Sequence, residues 1–188
     1  MRLDERQKTF IGYVLSLAKV GKEDRGALAD LRSGLGKEPG EMARVHKHVV
    51  PYLPEENYND RWYYLLATLF GAFPKHREGP SWGSPSLGEA FRLIKKSDSM
   101  EARFVALLNA HPDDLDDHLR HAVSLLRANE PPQPLNWFGL FRDLLDWDEP
   151  DARVQLRWAR DFYKTVSSLK ADMTDSDSTL KEEDQDHE

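Results

Sequence analysis

Two arginines, Arg25 and Arg32, stand seven positions apart at the ends of the stretch RGALADLR. On an α-helix, turning about 100° per residue, they lie within roughly 20° of each other with the small residue Ala29 between them. Leu28 and Leu31 point the other way. A guanidinium offers several donors in a planar fork and stays charged in all conditions, so it suits phosphate groups. The spacing therefore predicts a helix face that could bind a polyanion.

A longer basic stripe of the same kind is predicted near the end of the chain. Its members, at i, i+4, i+7 and i+11, fall within roughly 60° on a helix surface; they are Arg153, Arg157, Arg160 and Lys164. The core-facing positions of that helix are Val154, Trp158, Phe162 and Val166. Basic helix faces are commonly just solvated or paired with carboxylates. Pattern alone favours that interpretation, so the stripes raise the question of a polyanion partner without answering it.

A second arrangement could bind a metal ion. The stretch HPDDLDDHLRH places Asp114, His118 and His121 on one flank of a helix, where imidazoles and a carboxylate can hold a divalent cation. The acidic residues are equally explained by the positive end of the helix dipole, and no HExxH motif accompanies them. A metal-dependent nuclease stays an alternative, but we do not predict a metal site. His46 and His48 diverge on their helix and are weaker candidates.

Other chemistries find no residues to carry them. The chain has zero cysteines, which excludes a thiolate metal site, a cysteine nucleophile and a disulfide framework. There is no Gly-rich phosphate loop, no GxSxG elbow and no isolated carboxylate pair for acid–base work. These stretches therefore indicate no particular enzymatic reaction, and we expect no cofactor. The apolar stretch FIGYVLSLA is too short to span a bilayer, so we expect a soluble, cytoplasmic protein without a membrane partner.

The formal net charge of −7 is concentrated at one end of the chain. Residues 171–188 hold eight acidic side chains against Lys181, so residues 1–170 balance 25 basic against 25 acidic side chains. The terminal segment has no aromatic residue and few apolar ones, which predicts a disordered acidic tail over 169–188. The body should therefore act through local basic patches rather than through a long-range field.

Helices must position these side chains, because apolar residues recur at three and four positions and β-branched residues are sparse. The pattern predicts an all-α fold of about nine helices. We place them near 4–20, 24–33, 39–50, 59–72, 86–96, 99–109, 112–128, 136–146 and 150–168. The helix-free stretch PKHREGPSWGSP predicts a connecting loop at 76–86 between two small bundles, 1–75 and 87–168. Four of the five tryptophans are expected in the core, with Trp82 in the loop.

Six stretches, taken in order over roughly residues 10–165, resemble one protein family. They are RGALADLRSG, MARVHKHVVPYLP, YYLLATLFGAF, SLGEAF, EARFVALLNAHPDDLDDHLRHAVSLLR and NWFGLFRDLLDWDEPDARVQLRWARDFY. Their order, and above all the final NW…RDF block, resembles the CasB family, the small subunit of the type I-E CRISPR surveillance complex called Cascade.

The resemblance implies a two-bundle helical protein without enzymatic activity. It implies a pair of copies along the inner face of the complex, together with the large subunit CasA and the backbone subunits CasC. It also implies contact with the duplex of CRISPR RNA and target DNA, and with the DNA strand displaced when the R-loop forms in antiviral defence. In such a complex base pairing reads the sequence, so the protein need only supply cations to a backbone.

The resemblance also assigns residues by position. The family's basic contacts correspond to Arg32, Arg103, Arg120, Arg153 and Arg157. The stripe spacing and proximity add Arg25, Arg44, Arg160 and Lys164 as nucleic-acid-binding candidates. Ser33 and His121 stand where the family often has a second base, so we expect a weaker patch here. The main alternative is a structural scaffold subunit whose arginines pair across protein interfaces.

Overall fold

The fold is described by a computed structural model over residues 2–55, 59–75, 84–94 and 97–164. These ranges contain nine α-helices and no β-strand, so the all-α prediction is confirmed there. The helices are α1 Glu5–Ser16, α2 Arg25–Ser33, α3 Ala43–Val49, α4 Asp60–Ala72, α5 Leu87–Ile94, α6 Asp98–Leu108, α7 Leu115–Ala128, α8 Trp137–Leu145 and α9 Arg153–Tyr163. The predicted acidic tail and most of the predicted loop at 76–86 lie outside the described residues.

Polar side chains fix where several helices begin. The Asp4 carboxylate accepts a hydrogen bond from the backbone N–H of Gln7, whose side chain accepts one from the backbone of Asp4, closing a capping box on α1. Asp24 and Asn136 each accept a backbone N–H in the first turns of α2 and α8. Such a cap stabilises a helix by about 1 kcal/mol. The helix that carries Arg25 and Arg32 therefore begins where the sequence pattern places it.

Two helices begin later than predicted because the preceding backbone is left-handed. Gly36 and Gly40 have φ values of 73° and 93°, so α3 begins at Ala43 rather than at residue 39. Ala152 has φ 47°, and α9 begins after it at Arg153 rather than at residue 150. Sequence patterns locate helix ends less accurately than helices themselves.

Helix α4 lies at the centre of the fold and packs against α2, α3, α7 and α8. The ring of Phe10 on α1 lies 4.7 Å from that of Tyr63 on α4 and 5.1 Å from that of Phe141 on α8. Phe70 and Trp137 meet edge to face at 5.4 Å. Helices from both predicted bundles thus contribute to one hydrophobic core. The boundary between two bundles stays a prediction.

Helices α5, α6 and α9 pack through a second run of aromatic rings. The ring centroid of Phe104 lies 5.2 Å from Phe91 and 4.3 Å from Phe162. The four described tryptophans are at most 2% exposed, as predicted: Trp62, Trp137, Trp147 and Trp158. Trp82 lies outside the described residues. None of the described helices combines the length and apolar character needed to cross a bilayer.

Candidate nucleic-acid interface

Helix α2 exposes Arg25 and Arg32 and buries Leu31, which is 0% exposed. Helix α2 packs against α4 at Gly71, where an added Cβ would come within 2.7 Å of the backbone nitrogen of Arg32. The two helix backbones therefore meet at this glycine, and only a residue without a side chain allows that approach. The main chain of Arg32 is fixed by packing while its guanidinium extends into solvent.

Helix α9 packs against α5 in the same manner, with its backbone close to a glycine of the other helix. An added Cβ on Gly88 would overlap the carbonyl oxygen of Trp158 and lie 2.9 Å from its carbonyl carbon. The buried face of α9 is the predicted one, since Val154, Trp158 and Phe162 are at most 3% exposed. Val166, the fourth predicted core residue, lies outside the described residues.

The opposite side of α9 carries the predicted basic stripe. Arg153 and Arg160 are exposed and Arg157 is half-buried. The helix ends at Tyr163, and Lys164 follows as its C-cap with an extended ψ of 125°. The stripe therefore consists of three arginines on regular helix, with the exposed Lys164 just beyond its end.

Five of the candidate residues are exposed guanidiniums that form no hydrogen bond or ion pair with any described residue. They are Arg25, Arg32, Arg44, Arg103 and Arg160. An arginine in this state keeps all its N–H donors for a ligand. Arg25 and Arg32 share α2, and Arg44 lies in the first turn of α3, which packs against α2. Arg103 lies on α6 and Arg160 on α9.

Two other candidates are paired with neighbouring carboxylates. Arg120 binds Asp117 at 2.6 Å, and its guanidinium lies so close to the loop after α2 that a Cβ on Gly36 would overlap it. Arg153 binds Glu149 at 3.2 Å and Asp151 at 3.1 Å. The hydrogen bond that Arg153 donates to the Asp151 carboxylate raises the pKa of Arg153 above its usual range. These two cations are partly neutralised before any ligand arrives.

Arg157 takes part in a buried polar cluster that was not predicted from the sequence. Asp143 on α8 is 3% exposed, and its Oδ1 accepts hydrogen bonds from Arg157 Nη2 and, at 3.1 Å, from Arg142 Nη2. Its Oδ2 accepts one from Trp158 Nε1 at 2.7 Å. We call these four residues the Asp143 cluster. Because both carboxylate oxygens are satisfied, the buried charge is tolerated and ties α8 to α9.

One signal in the sequence could have pointed to this cluster. Asp143 stands in NWFGLFRDLL between Leu140 and Leu144, which α8 buries. A carboxylate on a core-facing position requires a cation or several donors. The sequence cannot say which residue supplies them, because the partner lies on another helix.

Two grooves on the surface differ in charge. The first, of about 450 Å³, lies between the loop after α2, helix α4 and the start of α7. Its acidic lining residues are Glu38, Asp113, Asp114, Asp116 and Asp117, and its basic ones are Lys37, Arg61 and Arg120. Burial raises the pKa of Asp116, while the guanidinium of Arg61 at 3.6 Å acts in the opposite direction. This acidic groove is a poor site for phosphate.

The second groove, of about 490 Å³, lies between α6 and α7 and we call it the α6–α7 groove. Its polar residues are Arg103, His118, His121 and Ser124. The remaining lining is apolar: Phe91, Ala106, Leu107, Ala122 and Leu125. Among these described lining residues there is no carboxylate, so the groove has the opposite charge character to the acidic groove.

The structure does not bring the three metal candidates into one site. Asp114 lines the acidic groove, whereas His118 and His121 line the α6–α7 groove. Within the described ranges, no three His, Asp or Glu side chains are grouped so that they could hold a metal ion. His46 and His48 diverge as expected, since each ring binds a different tyrosine hydroxyl. The nuclease alternative therefore has no common centre in the described part of the chain.

The described part of the chain is all-α, and the relatives that match it are described as CRISPR-associated proteins, which is therefore the class of this chain. The family model described as CRISPR-associated protein Cse2 matches residues 27–163, and the chain belongs to this family.

Individual relatives agree with this assignment. The CRISPR-associated protein Cse2 of Thermus thermophilus is 32% identical over 146 residues, which is 76% of this chain and 81% of the relative. The crystal structure of M. ruber CasB is 28% identical with a TM-score of 0.70, covering 90% of this chain and 98% of that one. The predicted resemblance to the CasB family is confirmed.

A third match concerns the fold alone. A chain in a structure described as a CRISPR RNA-guided surveillance complex is 24% identical, with a TM-score of 0.69. The match covers 89% of this chain and 97% of that one. The same helical architecture thus occurs in a chain of an assembled complex.

Proposed function

We propose that this chain is the non-catalytic small subunit of a CRISPR RNA-guided surveillance complex, where its arginines contact nucleic-acid phosphates. Membership of the Cse2 family and the likeness in fold to a chain of such a complex support this proposal. The partners are CRISPR RNA, target DNA, the CasA and CasC subunits and a second copy of this chain. The contacted strands are the guide–target duplex and the DNA strand displaced in the R-loop.

The observation that carries the proposal is the set of five exposed arginines without a partner among the described residues. Because these guanidiniums are exposed and unpaired among the described residues, each is hydrated and can replace a counterion on a phosphate. Contacts of this kind fix a strand in place without reading its sequence. That division of work suits a complex in which base pairing supplies specificity.

Assembly should supply most of the affinity. The body of the chain carries as many acidic as basic side chains, so it attracts a polyanion only within a Debye length of each arginine. Holding the chain next to an RNA–DNA duplex makes each contact intramolecular and raises its effective concentration. We therefore expect weak binding by the free chain and strong effects of the same arginines inside the complex.

The test is a salt titration of target DNA binding by the reconstituted complex, with Arg25, Arg32, Arg44, Arg103 and Arg160 replaced singly by Ala. Each lost phosphate contact should lower the slope of log K against log salt by about 0.9 for duplex DNA and about 0.7 for a single strand. The loss should be similar for all target sequences.

The matched controls remove cations that are already paired. Lys8, Lys37 and Lys47 bind carboxylates of the same chain, and replacing them by Ala should leave the slope unchanged. If all five arginine variants bind DNA like the unaltered complex over the whole salt range, the nucleic-acid role is wrong.

One observation favours the scaffold alternative. Helix α9 exposes Leu156 by 50% and Tyr163 by 51%, on the same side as Arg160. An apolar side chain next to an arginine is typical of a protein interface. If Leu156→Ser and Arg160→Ala both prevent assembly on size-exclusion chromatography, while complexes that carry the other four arginine variants assemble and bind DNA normally, α9 serves protein contact instead.

A further inference from the structure

We infer that the α6–α7 groove holds one unstacked nucleotide of a single-stranded nucleic acid, with its phosphate on Arg103 and its base beside His118 and His121. The inference rests on the proposed function, because it names what one part of the proposed interface would hold. It goes further by adding a base-binding contact to an interface otherwise made of phosphate contacts.

The groove has the size and construction of a ligand site. Its volume of about 490 Å³ falls within the roughly 300–1,000 Å³ typical of small-molecule sites. Its floor is firm, since Phe91 and Leu107 are 1% exposed and Ala122 is 2% exposed. A floor of fully packed side chains does not collapse when the groove is empty.

Helix spacing brings the polar residues to the rim. Arg103 and Leu107 lie one turn apart on α6, so the arginine stands directly beside the apolar floor. His118 and His121 lie at i and i+3 on α7 and flank the same floor. Arg103 is exposed and forms no hydrogen bond or ion pair with a described residue. A phosphate at the rim would satisfy donors that are otherwise left to water.

The charge and shape of the lining select a nucleotide. The described lining contains a permanent cation and no carboxylate, which favours an anionic ligand over a cationic one. Imidazole rings present flat faces on which bases stack, and their ring nitrogens can donate to or accept from a base edge. A base attached to a phosphate therefore fits the groove, because the phosphate can bind Arg103 while the base lies against the imidazoles and the apolar lining. A single strand is required, because bases within a duplex are already stacked.

The experiment is an NMR titration of the full chain with two tetranucleotides that carry the same phosphates. One is oligothymidylate, and the other is its abasic counterpart. We expect the thymidylate to shift the resonances of Ala106, His118 and His121 and to bind there about fivefold or more tightly than the abasic strand. A uridylate tetramer, titrated in parallel, distinguishes an RNA strand from a DNA strand as the source of the nucleotide.

Two phenylalanine variants make the test specific for the groove. Ala106 is exposed and lines the groove, so Ala106→Phe should fill it and abolish the difference between the two tetramers. Ala102 is exposed on the same helix and is not part of the lining, so Ala102→Phe should keep the difference.

Equal affinity of the unaltered chain for the two tetramers would overturn the inference. So would persistence of the difference in Ala106→Phe, or the absence of any shift at the groove residues. None of these results would overturn the proposed function, which is judged by the salt dependence of the assembled complex. If the five arginine variants left the salt slope of the complex unchanged while the free chain still preferred thymidylate to the abasic strand, the proposed function would be wrong and the groove would still bind a base.

Discussion

Helices α2 and α9 carry arginines at the same helical spacing, since Arg25 and Arg32, like Arg153 and Arg160, are two turns apart. In both helices the backbone also packs closely against a glycine of a neighbouring helix. They differ in what their guanidiniums meet. On α2 no described residue pairs with either arginine, whereas on α9 carboxylates bind Arg153 and Arg157.

The difference separates two properties that one sequence pattern combines. Spacing along a helix decides which side chains share a face, and that part of the pattern is purely local. Whether a cation on that face is available to a ligand depends on the residues of the next element. Helix α2 therefore presents free charge, while α9 uses part of its charge to hold itself against α8.

The largest effect should come from removing the carboxylate at the centre of the Asp143 cluster. Asp143→Ala leaves two guanidiniums and an indole N–H without their acceptor, and we expect a loss of about 3–5 kcal/mol in the free energy of unfolding. Urea denaturation followed by circular dichroism measures it. Asp148→Ala, which removes an exposed carboxylate nearby, should change stability by less than about 0.5 kcal/mol. Equal stability of the two variants would show that the cluster does not hold α9.

Substitution of the glycines that contact α2 and α9 should give the next largest effect. It tests whether both helices depend on close backbone packing. A methyl group at Gly88 or Gly71 meets backbone atoms that cannot move aside, so each Ala variant should lose about 1–3 kcal/mol. Gly12→Ala is the matched control, because nothing lies within 4 Å of its added Cβ. That variant should be neutral or more stable by about 0.5–1 kcal/mol. Thermal unfolding that ranks Gly12→Ala with the other two would contradict close backbone packing.

A comparison within α9 should separate the structural arginine from the free one. Arg157→Ala removes a charged hydrogen bond to Asp143 and should cost about 1–2 kcal/mol of stability. Arg160→Ala removes no bond to any described residue and should stay within about 0.5 kcal/mol. Chemical denaturation of both variants, beside DNA binding by the complex, gives the two readouts. If Arg157→Ala affects only binding, Arg157 is not structural.

The smallest effect is the change in salt dependence when a paired or an unpaired arginine is removed. Arg32→Ala should lower the salt slope of DNA binding by about 1, and Arg153→Ala by less, because Glu149 and Asp151 already occupy part of its guanidinium. Asp151→Asn should remove one of the two carboxylates that pair with Arg153, and so tighten binding at low salt. Identical slopes for Arg32→Ala and Arg153→Ala would remove the distinction between α2 and α9.

Much of the fold could be predicted because helices are specified by local pattern. Each of the nine predicted helices overlaps an observed one, and the buried faces of α2 and α9 are those given by the spacing of Leu31 and Trp158. The starts of α3 and α9 were wrong because left-handed backbone at Gly40 and Ala152 delays them. Backbone of that kind has no periodic pattern to reveal it.

The candidate site could be predicted only in part. Helical spacing indicates which arginines lie outward, and Arg25, Arg32 and Arg160 do so. Pairing across elements depends on tertiary contacts, so neither the bond from Arg157 to Asp143 nor the α6–α7 groove could be read from the chain. The nucleic-acid role of all nine candidate residues stays a prediction.

The indole of Trp158 makes the chain its own spectroscopic probe. Its N–H shares the Asp143 carboxylate with Arg157, yet the ring is 0% exposed and cannot touch a ligand directly. Any strand that draws the Arg157 guanidinium away changes the electrostatic field at that proton, and the indole resonance moves without the tryptophan being contacted. The Asp143→Asn variant shifts the indole N–H resonance of Trp158 and so assigns it. That single resonance would then report binding of a strand to α9 without an attached dye.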